Sequence, residues 1–271
     1  MAAIWLFTIG AAAAEIAGNQ FMKHFGTIII GDEILSGKRQ DGHFRRTIET
    51  LATRGLELKW SRTIGDDPAL IIDTLRQTYA TGDIVFSFGG IGATPDDHTR
   101  LCAAKAADVP LIRHPEAVAE IEARFGAEAY PRRILMADLP QGSRIIPNPF
   151  NRVPGFTLNH HHFVPGFPQM AWPMMEWVLD TLYPKMRNLT PDTEAIITVH
   201  NTLESVLLDL MNEFVQRYPR VRFSSLPHIG EGDERQLELG VKGAKSEVDV
   251  AMAWLKNGVE KLELKWIDKM N

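Results

Sequence analysis

The chain has 271 residues, of which 45% are hydrophobic and 23% are charged, as in ordinary soluble globular proteins. Its net charge of −5 and its pI of about 6.0 argue against a surface that coats nucleic acid, so we expect no nucleic-acid partner. The single cysteine, Cys102, excludes an intrachain disulfide framework and a zinc site built on thiolates. This cysteine usage fits a reducing compartment, and we expect a cytoplasmic protein.

Residues 1–21 form an apolar, alanine-rich N-terminal extension whose first charge is Glu15. The uncharged stretch is too short to span a bilayer comfortably, and it lacks the basic residues that precede the apolar part of a signal peptide. We favour a translation start at Met22, while an additional N-terminal helix and a cleaved signal peptide are the alternatives. We expect no membrane association.

After Met22 the pattern alternates between strands and helices. Strands are predicted at 25–30, 56–64 and 84–88, and helices at 41–54, 68–79 and 96–107. Such repetition predicts an α/β fold, a three-layer sandwich around a mostly parallel sheet, over residues 22–186. Within it, His160, His161 and His162 are expected on a partly exposed strand. A strand–helix–strand–strand–helix run at 190–265 predicts a small α+β subdomain.

Each of the first three strands is followed by a pair of acidic residues. The pairs are Asp32-Glu33, Asp66-Asp67 and Asp96-Asp97. Parallel strands place their carboxyl ends at one edge of the sheet, where such folds bind ligands. Neighbouring carboxylates repel one another unless a cation or hydrogen-bond donors offset their charge. Helix capping explains one or two of the pairs, but the three together favour a site for a metal and a phosphate.

The third strand leads into a glycine-rich turn containing Gly89, Gly90 and Gly92. Glycines allow positive φ and a close approach between backbone and ligand. Thr94 is predicted to cap a helix that begins at Asp96, and a helix N-terminus attracts anions. The pattern is also typical of a simple connector, and alone it favours neither interpretation.

Several ordered motifs carry a family resemblance. They are Gly-Asp-Glu-Ile-Leu-Ser-Gly at 31–37, Ile-Gly-Asp-Asp at 64–67 and Gly-Gly-Ile-Gly-Ala-Thr-Pro-Asp-Asp-His-Thr at 89–99. Together they resemble the molybdopterin-binding domain family, which includes the MoaB and Mog type. The resemblance is strongest to the N-terminal part of the competence/damage-inducible protein A (CinA) group and to the related domain of FAD synthases. It departs at Ala93, where proline is usual, and at Asp41-Gly42-His43, where Asp-Thr-Asn is usual.

The resemblance implies a phosphate-bearing nucleotide or pterin as ligand, a divalent metal (Mg²⁺, Mn²⁺ or Co²⁺), and a homo-oligomer, either a dimer or a trimer. It implies a metal-dependent nucleotide pyrophosphatase of the ADP-ribose or FAD type. The alternatives are a non-catalytic binding module for molybdopterin or a nucleotide, and a molybdopterin adenylyltransferase. We expect no amidase activity of the kind that many CinA proteins carry, because no amidase segment follows in this sequence.

The candidate residues fall into three sets. The catalytic candidates are Asp97, the best single candidate for metal binding or for a base, and Asp67, to which the resemblance gives a role in binding metal and nucleotide by motif position. The metal candidates are Asp97, Asp96 and Asp32. The ligand-binding candidates are Gly31, Asp32, Glu33, Asp66, Gly89, Gly90, Gly92 and Thr94.

Overall fold

The computed structural model describes residues 23–229 and 235–269, so the N-terminal extension lies outside the described residues. These residues form two compact units, one ending at Arg187 and one beginning at Asn188. The helices are α1 Asp32–Leu35, α2 His43–Ala52, α3 Pro68–Thr81, α4 Thr99–Ala106, α5 Pro115–Phe125, α6 Pro168–Leu182, α7 Leu208–Arg217 and α8 Lys245–Lys261. The strands are β1 Phe25–Ile30, β2 Leu58–Ile64, β3 Ile84–Phe88, β4 Leu111–Arg113, β5 Asp138–Pro140, β6 Arg144–Ile146, β7 Gly155–Leu158, β8 His161–Val164, β9 Thr193–His200, β10 Arg222–Ile229, β11 Arg235–Gly243 and β12 Trp266–Asp268.

The first unit is built on a six-stranded sheet with the order β2-β1-β3-β8-β7-β6. The first four strands in this order run parallel, while β7 and then β6 each run antiparallel to the preceding strand. Every residue of β1 and β3 is buried, as expected for parallel strands that are covered on both faces. The carboxyl ends of β1, β2, β3 and β8 therefore meet at one edge.

Two hydrophobic cores cover the two faces of this sheet. One core receives side chains from α3, α4 and α5, for example Leu75, Ala103 and Ile121. The other receives side chains from α2 and α6, for example Leu51 and Met175. The predicted three-layer α/β fold with a mostly parallel sheet is therefore confirmed.

The second unit has a four-stranded antiparallel sheet with the order β10-β11-β9-β12. Residues of α7 and α8, among them Phe214 and Leu255, share its core with β9 and β11. The small α+β subdomain is thus confirmed, with β12 as an additional strand. In the described part of the chain, no helix combines the length and the apolar character needed to cross a membrane.

The three neighbouring histidines do not lie on a partly exposed strand, so that prediction was wrong. His160 is a turn residue with φ of 61°, and β8 begins only at His161. His161 and His162 are fully buried, where His161 Nε2 contacts Thr78 Oγ1 at 2.8 Å and His162 Nε2 contacts the Tyr183 hydroxyl at 2.9 Å. Burial lowers the pKa of His161 to about 4 and that of His162 to about 3. Both histidines are therefore neutral parts of the core.

These two histidines make the stability of the first unit depend on pH. Their pKa values are lowered from 6.5 in the native state, so below about pH 6.5 the unfolded chain binds protons that the native state does not. Stability is full above this pH and falls as the pH decreases, by about 2 kcal/mol per histidine at pH 5. We expect the difference in unfolding free energy between the wild type and His162→Gln to shrink by about 2 kcal/mol between pH 7.5 and pH 5.

Urea denaturation followed by circular dichroism measures this difference. His24→Gln is the matched control, because it removes a histidine that is exposed in the same unit. A difference between wild type and His162→Gln that stays constant across this range would contradict the assignment of His162 as a buried neutral group.

Candidate functional site

The loops that follow β1 and β2 are joined by two aspartates. The Asp32 N–H donates to Asp66 Oδ2 at 2.9 Å, and the Asp66 N–H donates to Asp32 Oδ1 at 3.2 Å. Gly65 lies beside this pair, where a Cβ would stand 2.4 Å from Asp32 Oδ1. The structure therefore brings together two of the predicted site residues, and each keeps one carboxylate oxygen outside these two bonds.

Other acidic residues lie around this pair. The pKa of Asp66 is raised, first by burial and further by the charges of Asp32, Glu33 and Asp96, against a backbone hydrogen bond that lowers it. Glu33 packs against Gly31, where a Cβ would stand 2.7 Å from Glu33 Oε2. Asp96 thus belongs to the same electrostatic neighbourhood as the loops after β1 and β2.

Asp67 has a different position from its acidic neighbour. It is exposed and forms the N-cap of α3, accepting a hydrogen bond from the Ala69 N–H at 2.9 Å. This is the ordinary capping role of aspartate. Asp67, a catalytic candidate from the sequence, therefore caps a helix in this fold.

The glycine turn after β3 is held by the first two residues of α4. Thr99 Oγ1 donates to the Gly89 carbonyl at 3.0 Å, and the Thr99 N–H donates to the Gly90 carbonyl at 3.0 Å. Arg100 donates to the Gly92 carbonyl through Nη2 at 2.6 Å and through Nε at 3.2 Å. Three carbonyl groups of the turn therefore point towards α4.

This arrangement fixes the direction of the amide groups. The peptide bonds of the turn are trans, so each N–H points opposite to the carbonyl of the residue before it. The N–H groups of Gly90, Ile91 and Ala93 consequently point away from α4, and within the part of the chain that the structure describes they meet no protein acceptor. Gly89 and Gly90 have φ values of 104° and 67°, which side chains rarely allow. Several N–H groups that point outward together can bind an anion.

The predicted helix start at Asp96 was wrong, since α4 begins at Thr99. Thr94 does not cap this helix. Its N–H donates to Asp97 Oδ2 at 2.9 Å, and the Asp97 N–H donates back to the Thr94 carbonyl at 3.0 Å. This closed turn satisfies the local polar groups without a helix, as short polar side chains commonly do.

The Thr94 hydroxyl also contacts both carboxylates of this turn, Asp96 Oδ1 at 2.6 Å and Asp97 Oδ2 at 2.5 Å. The hydrogen bond from Thr94 lowers the pKa of Asp96. A hydroxyl has one hydrogen and can donate to only one carboxylate at a time.

His43 is the first residue of α2, at a position where the resemblance described above predicts asparagine. The Trp172 indole donates to His43 Nδ1 at 3.3 Å, so Nε2 carries the proton and donates to the Gly166 carbonyl at 3.1 Å. Burial lowers the pKa of His43, in agreement with this neutral form. Gly166 lies against the glycine turn, with a Cβ built on it 3.5 Å from Gly89 Cα. Through Gly166, His43 supports the turn from the side of β8.

Side chains of the described residues do not form a metal cage. In residues 23–229 and 235–269, no three His, Cys, Asp or Glu side chains are grouped so that they could hold a metal ion. Magnesium is often bound by one or two carboxylates together with the phosphates of a substrate.

A family model described as "Probable molybdopterin binding domain" matches residues 26–185, which include all the strand ends and the glycine turn of the site. The chain belongs to this family. The "CinA-like protein" of Syntrophotalea carbinolica is 35% identical over 182 residues, which are 64% of this chain and 44% of that protein. The "Putative competence-damage inducible protein" of Halothermothrix orenii is 29% identical over 195 residues, 68% of this chain and 47% of that protein.

A solved structure supports the same assignment. The protein CinA from Thermoplasma acidophilum, described as of unknown function, aligns with a TM-score of 0.53 and 27% identity, covering 58% of this chain and 98% of its own. The resemblance to the CinA group is therefore confirmed. This chain spans less than half the length of the two curated relatives described above.

Two glycines with nearly the same φ allow the close packing of the turn against Thr99 to be tested by substitution. Gly90 has φ of 67° and a built Cβ would stand 2.3 Å from Thr99 Oγ1, whereas Gly82 has φ of 70° with open space around it. We expect Gly82→Ala to cost about 1–2 kcal/mol of stability from backbone strain alone. Gly90→Ala should cost about 1–3 kcal/mol more, because Thr99 is buried and bonded to the turn.

Urea denaturation of the two variants measures the difference directly. Equal losses of unfolding free energy in Gly90→Ala and Gly82→Ala would mean that Thr99 does not hold the turn closely.

Proposed function

We propose that the first unit binds the phosphate groups of a nucleotide or a pterin at the glycine turn. The observation that carries this proposal is the outward direction of the Gly90, Ile91 and Ala93 N–H groups, which the bonds from Thr99 and Arg100 to the turn carbonyls impose. Backbone N–H groups in such an arrangement bind anions without a side-chain charge. Membership of the molybdopterin-binding family supports a ligand of this class.

A divalent metal would enter the site with the ligand. Asp32 and Asp66, together with Asp96 and Asp97, would share the ion with the phosphates, and the bound ion would neutralise phosphate charge and polarise phosphorus. The carboxylates would otherwise repel the anion, so binding of the metal and binding of the ligand should depend on each other.

Hydrolysis of a nucleotide diphosphate, as in an ADP-ribose or FAD pyrophosphatase, is the second candidate function. Asp97 supports it, because this carboxylate lies directly beside the turn. A Cβ built on Gly92 would meet Asp97 Oδ2 at 2.4 Å and Oδ1 at 3.1 Å. A carboxylate in this place is within reach of a water molecule beside a phosphate held by the turn, where it would act as a general base.

Replacement of Asp97 by asparagine tests the place of this carboxylate in hydrolysis. The amide oxygen still accepts from the Thr94 N–H, but it cannot take a proton from water. We expect Asp97→Asn to lower the hydrolysis of ADP-ribose and FAD by about 100-fold or more, with Mg²⁺, Mn²⁺ or Co²⁺ present, while the protein stays folded. Formation of AMP, a phosphate monoester that either cleavage releases, measures the rate, and calorimetric titration measures binding.

Asp73→Asn is the matched control, because Asp73 lies exposed on α3 in the same unit and its ion pair with Arg76, at 4.0 Å, is weak. Hydrolysis that survives in Asp97→Asn would remove this residue from the reaction. A wild-type protein that binds these ligands without cleaving them would be a binding module, and one that binds none of them would contradict the proposed function.

A further inference from the structure

Arg100 lies beneath the glycine turn and was not among the residues predicted from the sequence. Only 9% of its surface is exposed, although arginine is almost never buried without a charged partner. Its three nitrogens donate to backbone carbonyls, with Nε and Nη2 bound to Gly92, and Nη1 bound to Leu135 at 2.6 Å and to Asp138 at 2.9 Å. The guanidinium group thus uses all of its nitrogens on neutral acceptors.

Its positive charge is not balanced by a direct ion pair. The charges of Asp138 and Asp97 act on Arg100, but both carboxylate oxygens of Asp138 lie on the Arg113 guanidinium, at 2.5 Å and 3.2 Å. Among the described residues, no carboxylate is hydrogen-bonded to Arg100. A buried cation is costly unless its charge is offset, and its field weakens little across a poorly solvated interior.

The charge of Arg100 lies close to the glycine turn. Gly92 lies between Arg100, which binds its carbonyl, and Asp97, whose carboxylate lies beside its Cα. The bond to the Gly92 carbonyl orients the next peptide, so that the Ala93 N–H points outward. Arg100 therefore acts on the same turn in two ways, through geometry and through charge.

We propose that Arg100 is a positioning residue that orients the Gly92–Ala93 peptide and supplies the positive potential with which the turn selects highly charged anions. The inference rests on the proposed function and deepens it, because it identifies the diphosphate group, rather than a singly charged group such as a carboxylate, as the preferred ligand chemistry. Acetate, phosphate and pyrophosphate form a series of rising charge that probes this preference.

The experiment compares two substitutions by calorimetric titration with these three anions at pH 8 and a fixed Mg²⁺ concentration. Arg100→Gln removes the charge and should weaken pyrophosphate binding about tenfold or more, with a smaller loss for phosphate, because the lost interaction scales with ligand charge. Arg100→Lys keeps the charge but not the planar fork. It should weaken both anions by a similar factor and keep the preference for pyrophosphate.

Arg76→Gln is the matched control, because it removes the same charge from an exposed arginine on α3. Far-UV circular dichroism verifies that each variant is folded, and Arg100→Lys carries the test if Arg100→Gln does not fold. Equal losses for phosphate and pyrophosphate in Arg100→Gln, or a preference for pyrophosphate that disappears in Arg100→Lys, would overturn the role of the charge.

Two further outcomes separate this inference from the proposed function. Wild-type protein that binds pyrophosphate no more tightly than Arg100→Gln does would contradict the role of Arg100 alone. Wild-type protein that binds neither phosphate nor pyrophosphate would contradict the proposed function, and this inference with it.

Discussion

The shape of the glycine turn depends on three carbonyl groups that α4 holds from below. Thr99 binds two of them and Arg100 binds the third, so the first two residues of one helix set the orientation of three peptide groups in the turn. Because a trans peptide points its N–H opposite to its carbonyl, inward carbonyls require outward amides. The proposed anion-binding character of the site therefore rests on hydrogen bonds on the side that faces the protein interior.

The rest of the first unit supports this turn from the remaining directions. Parallel pairing of β1, β2, β3 and β8 places their ends at one edge, and His43 fixes the loop after β8 through Gly166. The acidic residues at the same edge oppose an anion unless a cation accompanies it. In the proposed function, the backbone of the turn would bind the phosphate, and the acidic side chains would bind the metal that accompanies it.

Much of the fold could be predicted because buried strands and amphipathic helices leave strong periodic patterns. β1 and β3 were predicted at their observed bounds, whereas β4, β5 and β12 have three residues each and are too short to leave a pattern. The start of α4 was misplaced because Thr94, Pro95 and Asp97 have the composition of a helix cap, yet their side chains close a separate turn. Local preference alone does not distinguish these two outcomes.

Among the site residues, the glycines and acidic pairs could be identified from the sequence, but Arg100 could not. A charged residue in a helix usually faces solvent, and here Leu101 is the exposed neighbour instead. The available signal is helical spacing, since Arg100 lies four residues before the buried Ala104 and so shares its face. This spacing becomes informative only when carbonyl groups that can accept hydrogen bonds are known to lie on the same face. Only the folded chain shows those carbonyl groups.

The exchange of hydrogen bonds between Asp32 and Asp66 has a consequence for how this site changes over time. Each carboxylate accepts a hydrogen bond from the backbone of the other loop. Replacing either residue therefore removes a hydrogen bond that holds the other. Substitutions at bonded neighbours are not additive, and the two positions should be strongly epistatic. Once one aspartate is replaced, substitutions become favourable at the other, which lies 34 positions away in sequence. We therefore expect the loops after β1 and β2 to change together in evolution.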